Sequence, residues 1–172
     1  MRSPNDTRFR SSASTDTAEP GTACRLVASA TELATHLAIR ETVFVHEQRI
    51  FTGNDRDERD DDGRTLHVLG FVDGRPVGTV RLYPLDEPGL WKGDRLAVLG
   101  AYRRRQLGGP LVRFAVQTAA ERGGAQMLAY IQPPNVAFFE HLGWRPVGDP
   151  MEYCGLLHQR MIIELGPWRR PW

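Results

Sequence analysis

The stretch that decides the fold is DRLAVLGAYRRRQLGGPL, Asp94–Leu111. It reads as a short strand (Asp94–Val98), a turn dense in arginine and glycine (Leu99–Leu107), and a helix that starts at Gly108 with Pro110 in its first turn. A helix start carries unpaired amides and the positive end of the helix dipole, which attract anions, and glycine lets a phosphate approach the backbone. Arg103, Arg104 and Arg105 add positive charge at the same place. A solvated turn with a helix cap would show the same pattern, so the flanks have to decide.

Downstream, the helix runs through Arg122 and is closed by Gly123-Gly124. Ala125–Gln132 reads as a strand, stopped by Pro133-Pro134-Asn135, which opens a short helix, Val136–Leu142, ending at Gly143. Trp144–Val147 and His158–Leu165 supply two closing strands. Upstream, Cys24–Ala28 reads as a first strand, and Ser29 with Glu32 forms a capping box. Leu33, Leu37, Arg40 and Phe44 then keep helical spacing to about Val45. Asn54–Gly63 is a charged loop, with six acids and two arginines over Asn54–Asp62. Thr65–Val72, the turn Asp73-Gly74 and Pro76–Tyr83 make a β-hairpin, and Pro84–Gly93 a loop. Hairpins first and strand–helix–strand crossovers later predict a mixed α/β domain: a mostly antiparallel sheet, parallel in part, with helices on both faces.

At 172 residues, 41% hydrophobic and 25% charged, the chain suits one globular domain. Residues 1–22 are polar and aperiodic and are expected to form a disordered tail; 23–165 is the domain and 166–172 a short tail. No apolar run is long enough to span a membrane, and no apolar segment follows the N-terminal arginines as a secretory signal would require. A net charge of +1 offers no bulk attraction to nucleic acid or anionic membrane. Basic charge is 21 Arg to one Lys, Lys92, which reads as a genomic codon bias. Cys24 and Cys154 are too far apart for a metal pair or disulfide framework, so a reducing cytoplasm is the expected compartment. The five histidines (36, 46, 67, 141, 158) show no ligand spacing, and no metal is expected.

Taken together these segments resemble the GNAT superfamily of N-acetyltransferases. The family's pyrophosphate loop, Arg/Gln-x-x-Gly-x-Gly/Ala, is matched at its first and last elements by Arg103-Arg-Arg-Gln106-Leu-Gly108, with Gln106 where the first glycine is usual. A second signature, Asn near a helix start followed by Tyr-x-x-x-Gly-Phe, is matched by Asn135 and Phe139-Glu-His-Leu-Gly143-Trp144, with Phe139 in place of the tyrosine. Arg40–Gln48, the acidic loop and Gly155-Leu-Leu-His158-Gln-Arg-Met161 are similar to a narrower bacterial subgroup related to nitrogen-starvation N-acetyltransferases. First-helix and acidic-loop features of this kind also occur in acyl-homoserine-lactone synthases, which share the fold.

The resemblance implies a sheet splayed between its fourth and fifth strands and direct transfer of an acyl group, acetyl from acetyl-CoA, to a primary amine of a small molecule. Pantetheine would pair with Leu96, Ala97 and Val98, and pyrophosphate would sit on Arg103, Arg104, Arg105, Gln106, Leu107, Gly108 and Gly109. Asn135, Phe138 and Phe139 would line the cofactor arm, and an amide near Val98 would polarise the thioester. In many members the tyrosine at position 139 protonates the departing thiolate, which Phe139 cannot do. Cys154, Tyr130, Tyr153, His158 or water are the substitutes. For the base, the candidates are Glu47, Asp62, His67 and Glu140. The acid run Asp57–Asp62 is either a solvated loop or an attractor for a cationic amine. A longer-chain acyltransferase of the homoserine-lactone type and a non-catalytic CoA-binding domain are the alternatives. The tryptophans Trp168 and Trp172 leave room for a homodimer.

Overall fold

The computed structural model describes residues 21–153 and 155–166, so all but the inner ends of the two expected tails, together with Cys154, lie outside the described residues. The chain runs β1 (Thr22–Leu26), α1 (Ala30–Arg40), β2 (Leu66–Val72), β3 (Arg75–Pro84), β4 (Leu90–Val98), α2 (Gly108–Glu121), β5 (Gln126–Ile131), α3 (Val136–His141), β6 (Arg145–Pro146), β7 (Met151–Tyr153) and β8 (Leu156–Glu164). The sheet order is β1-β2-β3-β4-β5-β8-β6, with β7 on β8. Every pairing is antiparallel except β4 with β5. Among the described residues no helix is long and apolar enough to cross a membrane.

Strand ends shift by a residue or two from the sequence reading, and two differences are larger. β4 starts at Leu90 rather than Asp94, because Trp91 and Lys92 pair with β3 on one side and β5 on the other. β7, unexpected from sequence, is three residues long and owes its existence to its ladder with β8. The capping of α1 is as the sequence implies: Ser29 Oγ accepts from the Glu32 amide at 3.1 Å, while the Glu32 carboxylate accepts from Ala28 N at 2.8 Å. Beyond Arg40 the helix widens into π-helical turns, Glu41–Glu47, marked by Gln48 N donating to Val43 O. That widening buries the consecutive residues Val43 and Phe44 against Ala97 of β4.

The sheet has two unlike faces. One is apolar: Val68, Val80, Leu82, Trp91, Met127, Ala129 and Met161 pack with Leu111, Val112, Ala115 and Ala119 of α2. Helix α2 comes close because Gly70 and Gly78, cross-strand partners, leave a hole for its first turn. A Cβ on either would lie within 3.0 Å of Leu107 or Leu111.

The α1 face is ionic. Arg40 and Arg81 are wholly buried. Arg40 grips Asp55 at 2.7 Å and Asp60 at 2.6 and 3.0 Å. Arg81 binds Asp94 and Asp57 through paired bonds of 2.6–2.9 Å. Arg95 reaches Asp55 and Asp57, and His67 Nε2 meets Asp60 at 3.1 Å. The acidic loop is therefore solvated only in part: Glu58 and Asp61 are exposed, whereas the Asp55 and Asp60 carboxylates are buried against arginines. Its 3₁₀ turn, Glu58–Asp61, is capped by Asp57 and pressed onto the sheet by arginines. Burial opposes the charge on Asp57 and Asp60, but the hydrogen bonds and charge of Arg81 around Asp57, and of His67 and Arg40 around Asp60, outweigh it and hold both below the usual carboxylate range.

Breaking one buried pair strands the other charge. Arg81→Leu, which leaves Asp57 and Asp94 uncompensated, is expected to cost about 3–5 kcal/mol in urea unfolding at neutral pH. His36 gives a separate pH signature. Its ring is fully buried, with Nδ1 bonded to Val68 O at 3.1 Å. Burial first, then the neighbouring His67 and Arg40, push its pKa down to about 3. The unfolded chain takes up this proton below roughly 6.5 while the folded chain refuses it until about 3, so stability falls with falling pH across that window. Unfolding free energy is expected to drop by about 2 kcal/mol from pH 7 to pH 5 from this group, and His36→Gln should remove that part of the slope. An unchanged slope in the variant would refute the assignment.

Candidate active site

Parallel pairing of β4 with β5 covers only Leu90↔Gln126, Trp91↔Met127 and Lys92↔Leu128. Past Lys92 the strands part, and β4 has no ladder partner on its β5 side. A β-bulge sits at this divergence: between Thr79↔Ala97 and Arg81↔Asp94, the two residues Arg95 and Leu96 face the single Val80. Arg95 is left-handed at φ 52°, a conformation costly for a residue with a Cβ. Thr79 Oγ1 holds its carbonyl at 2.9 Å, and Asp55 and Asp57 hold its guanidinium. The bulge turns Asp94 and Arg95 to the ionic face together and returns Leu96 and Val98 to the apolar one.

The gap forms a cavity of about 180 Å³ that reaches both faces of the sheet. From the α2 side it is walled by Val112, Ala115, Met127, Ala129, Phe139 and Trp144, and from the α1 side by Phe44, Ile50, Phe51, Tyr130, Tyr153 and His158. Leu96 and Asn135 also line it. Trp144 is buried, and its indole N–H has no partner among the described residues.

The loop leading to α2 forms a 3₁₀ turn, Gly100–Arg105, followed by Gln106 in the left-handed region at φ 53°. That conformation explains why glycine is usual at this position, and glutamine takes it at a cost of about 1 kcal/mol. No side chain caps α2, so its first amides are left to a ligand or solvent. A Cβ on Gly108 would meet nothing nearer than Phe138 at 3.5 Å, so the approach to the backbone is open. Arg104 is exposed, Arg105 bonds Asp73 at 3.1 Å, and Leu107 is buried under the helix. The arrangement suits a pyrophosphate at the helix start and an extended arm along the free edge of β4.

The sequence-derived candidates separate clearly. Glu47 does not line the cavity; it is ion-paired with Arg103 at the surface. Asp62 is paired with Arg64, His67 with Asp60, and Glu140 is exposed on α3, so none of these is free beside the gap. Asn135 stands at the N-cap position of α3 but makes no capping bond, which leaves its amide for the cavity. Phe139 is buried edge-to-face against Phe138 and Trp144 and forms wall, not proton route. Val98 pairs with Gly78 at the end of β4, and Ala97 is buried beneath Phe44.

Tyr153 and His158 are brought together, rings edge-to-face at 5.4 Å, by the β7–β8 hairpin. Tyr153 stacks on Tyr130 at 4.6 Å and accepts a hydrogen bond from Lys92 Nζ at 2.9 Å. His158 Nδ1 lies 2.9 Å from Leu156 O. A carbonyl can only accept, so in the neutral ring the proton sits on Nδ1 and the lone pair on Nε2. The acid run has no spare pull on a cation near the gap, since Asp55, Asp57 and Asp60 are engaged by Arg40, Arg81 and Arg95. Among the described residues no group of three or more His, Cys, Asp or Glu could hold a metal ion. Sequence reasoning missed Lys92, although its standing as the sole lysine was visible, and missed Phe44, Ile50 and Phe51, which look like ordinary core residues in one dimension.

The acetyltransferase (GNAT) family profile matches residues 25–144. A protein of Bacillus subtilis (strain 168) that carries an acetyltransferase name is 30% identical over 136 residues, 78% of this chain and 91% of that protein. Among solved structures, Escherichia coli ElaA superposes with a TM-score of 0.73 at 24% identity, covering 83% of this chain and 99% of ElaA. The CoA-dependent acyl-homoserine lactone synthase BjaI superposes at 0.67 with 21% identity, covering 82% and 78% of the two chains, a likeness of fold alone. These matches reach the family and stop short of the nitrogen-starvation subgroup. With the parted β4 and β5, the uncapped α2 and a family match over 120 residues, the chain belongs to the GNAT family of acetyltransferases.

Proposed function

We propose that this enzyme moves an acetyl group from acetyl-CoA to the primary amine of a small molecule by direct transfer. The observation that carries the reading is the cavity where β4 and β5 part, lined by residues of both sheet faces, in which donor and acceptor meet from opposite sides. Bound acetyl-CoA supplies the activated acyl group. Gly108, Gly109 and the α2 amides hold its pyrophosphate, with the exposed Arg104 adding charge beside the ion-paired Arg103 and Arg105, and the free edge of β4 at Leu96–Val98 holds its arm. Asn135 fixes the arm from the other wall, and an amide near Val98 polarises the carbonyl. His158 Nε2 takes the proton of the attacking amine, and Tyr153 gives its proton to the departing sulfur.

The acceptor wall is Phe44, Ile50, Phe51 and Tyr130, and its one carboxylate, Asp94, is held by Arg81 and Tyr83. An amine on an apolar or aromatic body suits these walls better than a polycation. Thiol release measured with acetyl-CoA and a panel from phenethylamine to spermidine tests both statements, with octanoyl-CoA testing chain length. Binding without turnover on every amine would sink the enzyme reading in favour of a CoA-binding domain.

Two sets of variants test the parts. Gly108→Asp, whose carboxylate would meet the pyrophosphate, is expected to weaken acetyl-CoA roughly ten- to a hundredfold by calorimetry; equal affinity in a folded variant removes the loop from the site. Tyr153→Phe and His158→Gln are expected to lower kcat about 10²–10⁴-fold, and Cys154→Ala is assayed beside them. A large drop in Cys154→Ala alone would move the acid to that residue.

A further inference from the structure

Lys92 is the only lysine in a chain with 21 arginines, and it stands at the last paired position before β4 and β5 part. Its ammonium lies among three tyrosines from three strands: 4.9 Å from the Tyr153 ring centre, 5.1 Å from Tyr130 and 6.0 Å from Tyr83. Nζ donates to the Tyr153 oxygen at 2.9 Å. A compact ammonium fits between such rings where the broad guanidinium fork would need a wider opening. The hydrogen bond also fixes a direction. The Tyr153 oxygen is already accepting, so its single proton is the one left to give. Tyr153 borders the cavity, and the cation beside it stabilises the phenolate that remains.

We propose that Lys92 is a positioning residue for proton delivery by Tyr153, holding the phenol at the cavity and neutralising the phenolate formed as the thiolate leaves. The inference rests on the acyl-transfer reading above. As the C–N bond forms and the C–S bond breaks, the Tyr153 O–H proton goes to sulfur and the surplus amine proton to His158 Nε2; solvent then returns that proton to the phenolate. The charged and titratable groups around the pair are Asp94 on β4, Arg81 and Tyr83 on β3 with Arg59 over the Tyr83 ring, Tyr130 on β5, and His158 on β8. Burial opposes the ammonium, but the bond to Tyr153 and the nearby Tyr83 and Asp94 hold its pKa above the ordinary lysine value, so it stays charged.

The test is a cycle of Lys92→Met, Tyr153→Phe and the double variant, with kcat and KM followed over pH 6–10. Lys92→Met is expected to lower kcat about ten- to a hundredfold, leave KM for acetyl-CoA within about twofold, and move the alkaline limb of the kcat profile upward, because the phenolate loses its neighbouring cation. The double variant should be no slower than Tyr153→Phe. A second measurement needs no turnover: nitration of Tyr153 by tetranitromethane, read by mass spectrometry at pH 8, should be several-fold slower in Lys92→Met. Lys92→Gln takes its place in both assays should the methionine variant fail to fold. Equal nitration, an unmoved alkaline limb, or equal slowing in the Tyr153→Phe background overturns the proposal. A parent that nitrates as expected but transfers no acyl group overturns the acyl-transfer reading and the catalytic role of Lys92 with it.

Discussion

Two guanidinium groups, Arg40 and Arg81, have no water around them, and the ionic half of the structure exists to answer that. An isolated buried cation would cost several kcal/mol, so each must find carboxylates of good geometry and in number. The loop around the 3₁₀ turn Glu58–Asp61 brings Asp55, Asp57 and Asp60; β4 brings Asp94. The constraint passes to the backbone. For Arg95 to join Asp94 on the same face, β4 must carry an extra residue there, and the bulge supplies it with a left-handed Arg95. The strand bends at the bulge, and its divergence from β5 makes the cavity. Ion pairing on one face and access to the site are thus one construction.

The other face has the opposite job. Apolar packing of α2 on the sheet sets the place of the Arg103–Gly109 loop, and the Gly70–Gly78 pair sets how deep the helix sinks. Larger residues there would lift Leu107 and Leu111, and with them the uncapped amides of the helix start. Packing without polar atoms is suited to this, because it fixes distance and leaves every amide at the helix tip unclaimed.

Local signals were legible where chemistry is local. The Asp73-Gly74 hairpin, the Ser29 cap and the Pro133-Pro134-Asn135 stop all stand within a residue or two of where the sequence puts them. The Arg103–Gly109 turn and the start of α2 were legible for the same reason. The ionic core was not: a run of acids looks solvated until arginines 15 to 40 positions away turn out to face it. The place of Glu47, ion-paired away from the cavity, was not legible because its partner Arg103 is 56 positions away. β7 was invisible because three residues carry no period, and only the ladder with β8 makes them a strand.

The phenylalanine at position 139 is best understood through its neighbours. It lies edge-on between Phe138 and Trp144, in an aromatic row that closes the α2 side of the cavity. A hydroxyl there would need a partner in an apolar wall, and an unmet one costs about 1–3 kcal/mol. Across the gap the polarity reverses: Tyr130, Tyr153, His158 and Lys92 cluster on the ionic face, where a hydroxyl has partners and a developing negative charge has a cation. Loss of the phenol from α3 and a phenol held by an ammonium on β7 are therefore consistent choices. The division of the sheet into an apolar and an ionic face gathers the groups able to exchange a proton on the polar side of the cavity, where each has partners.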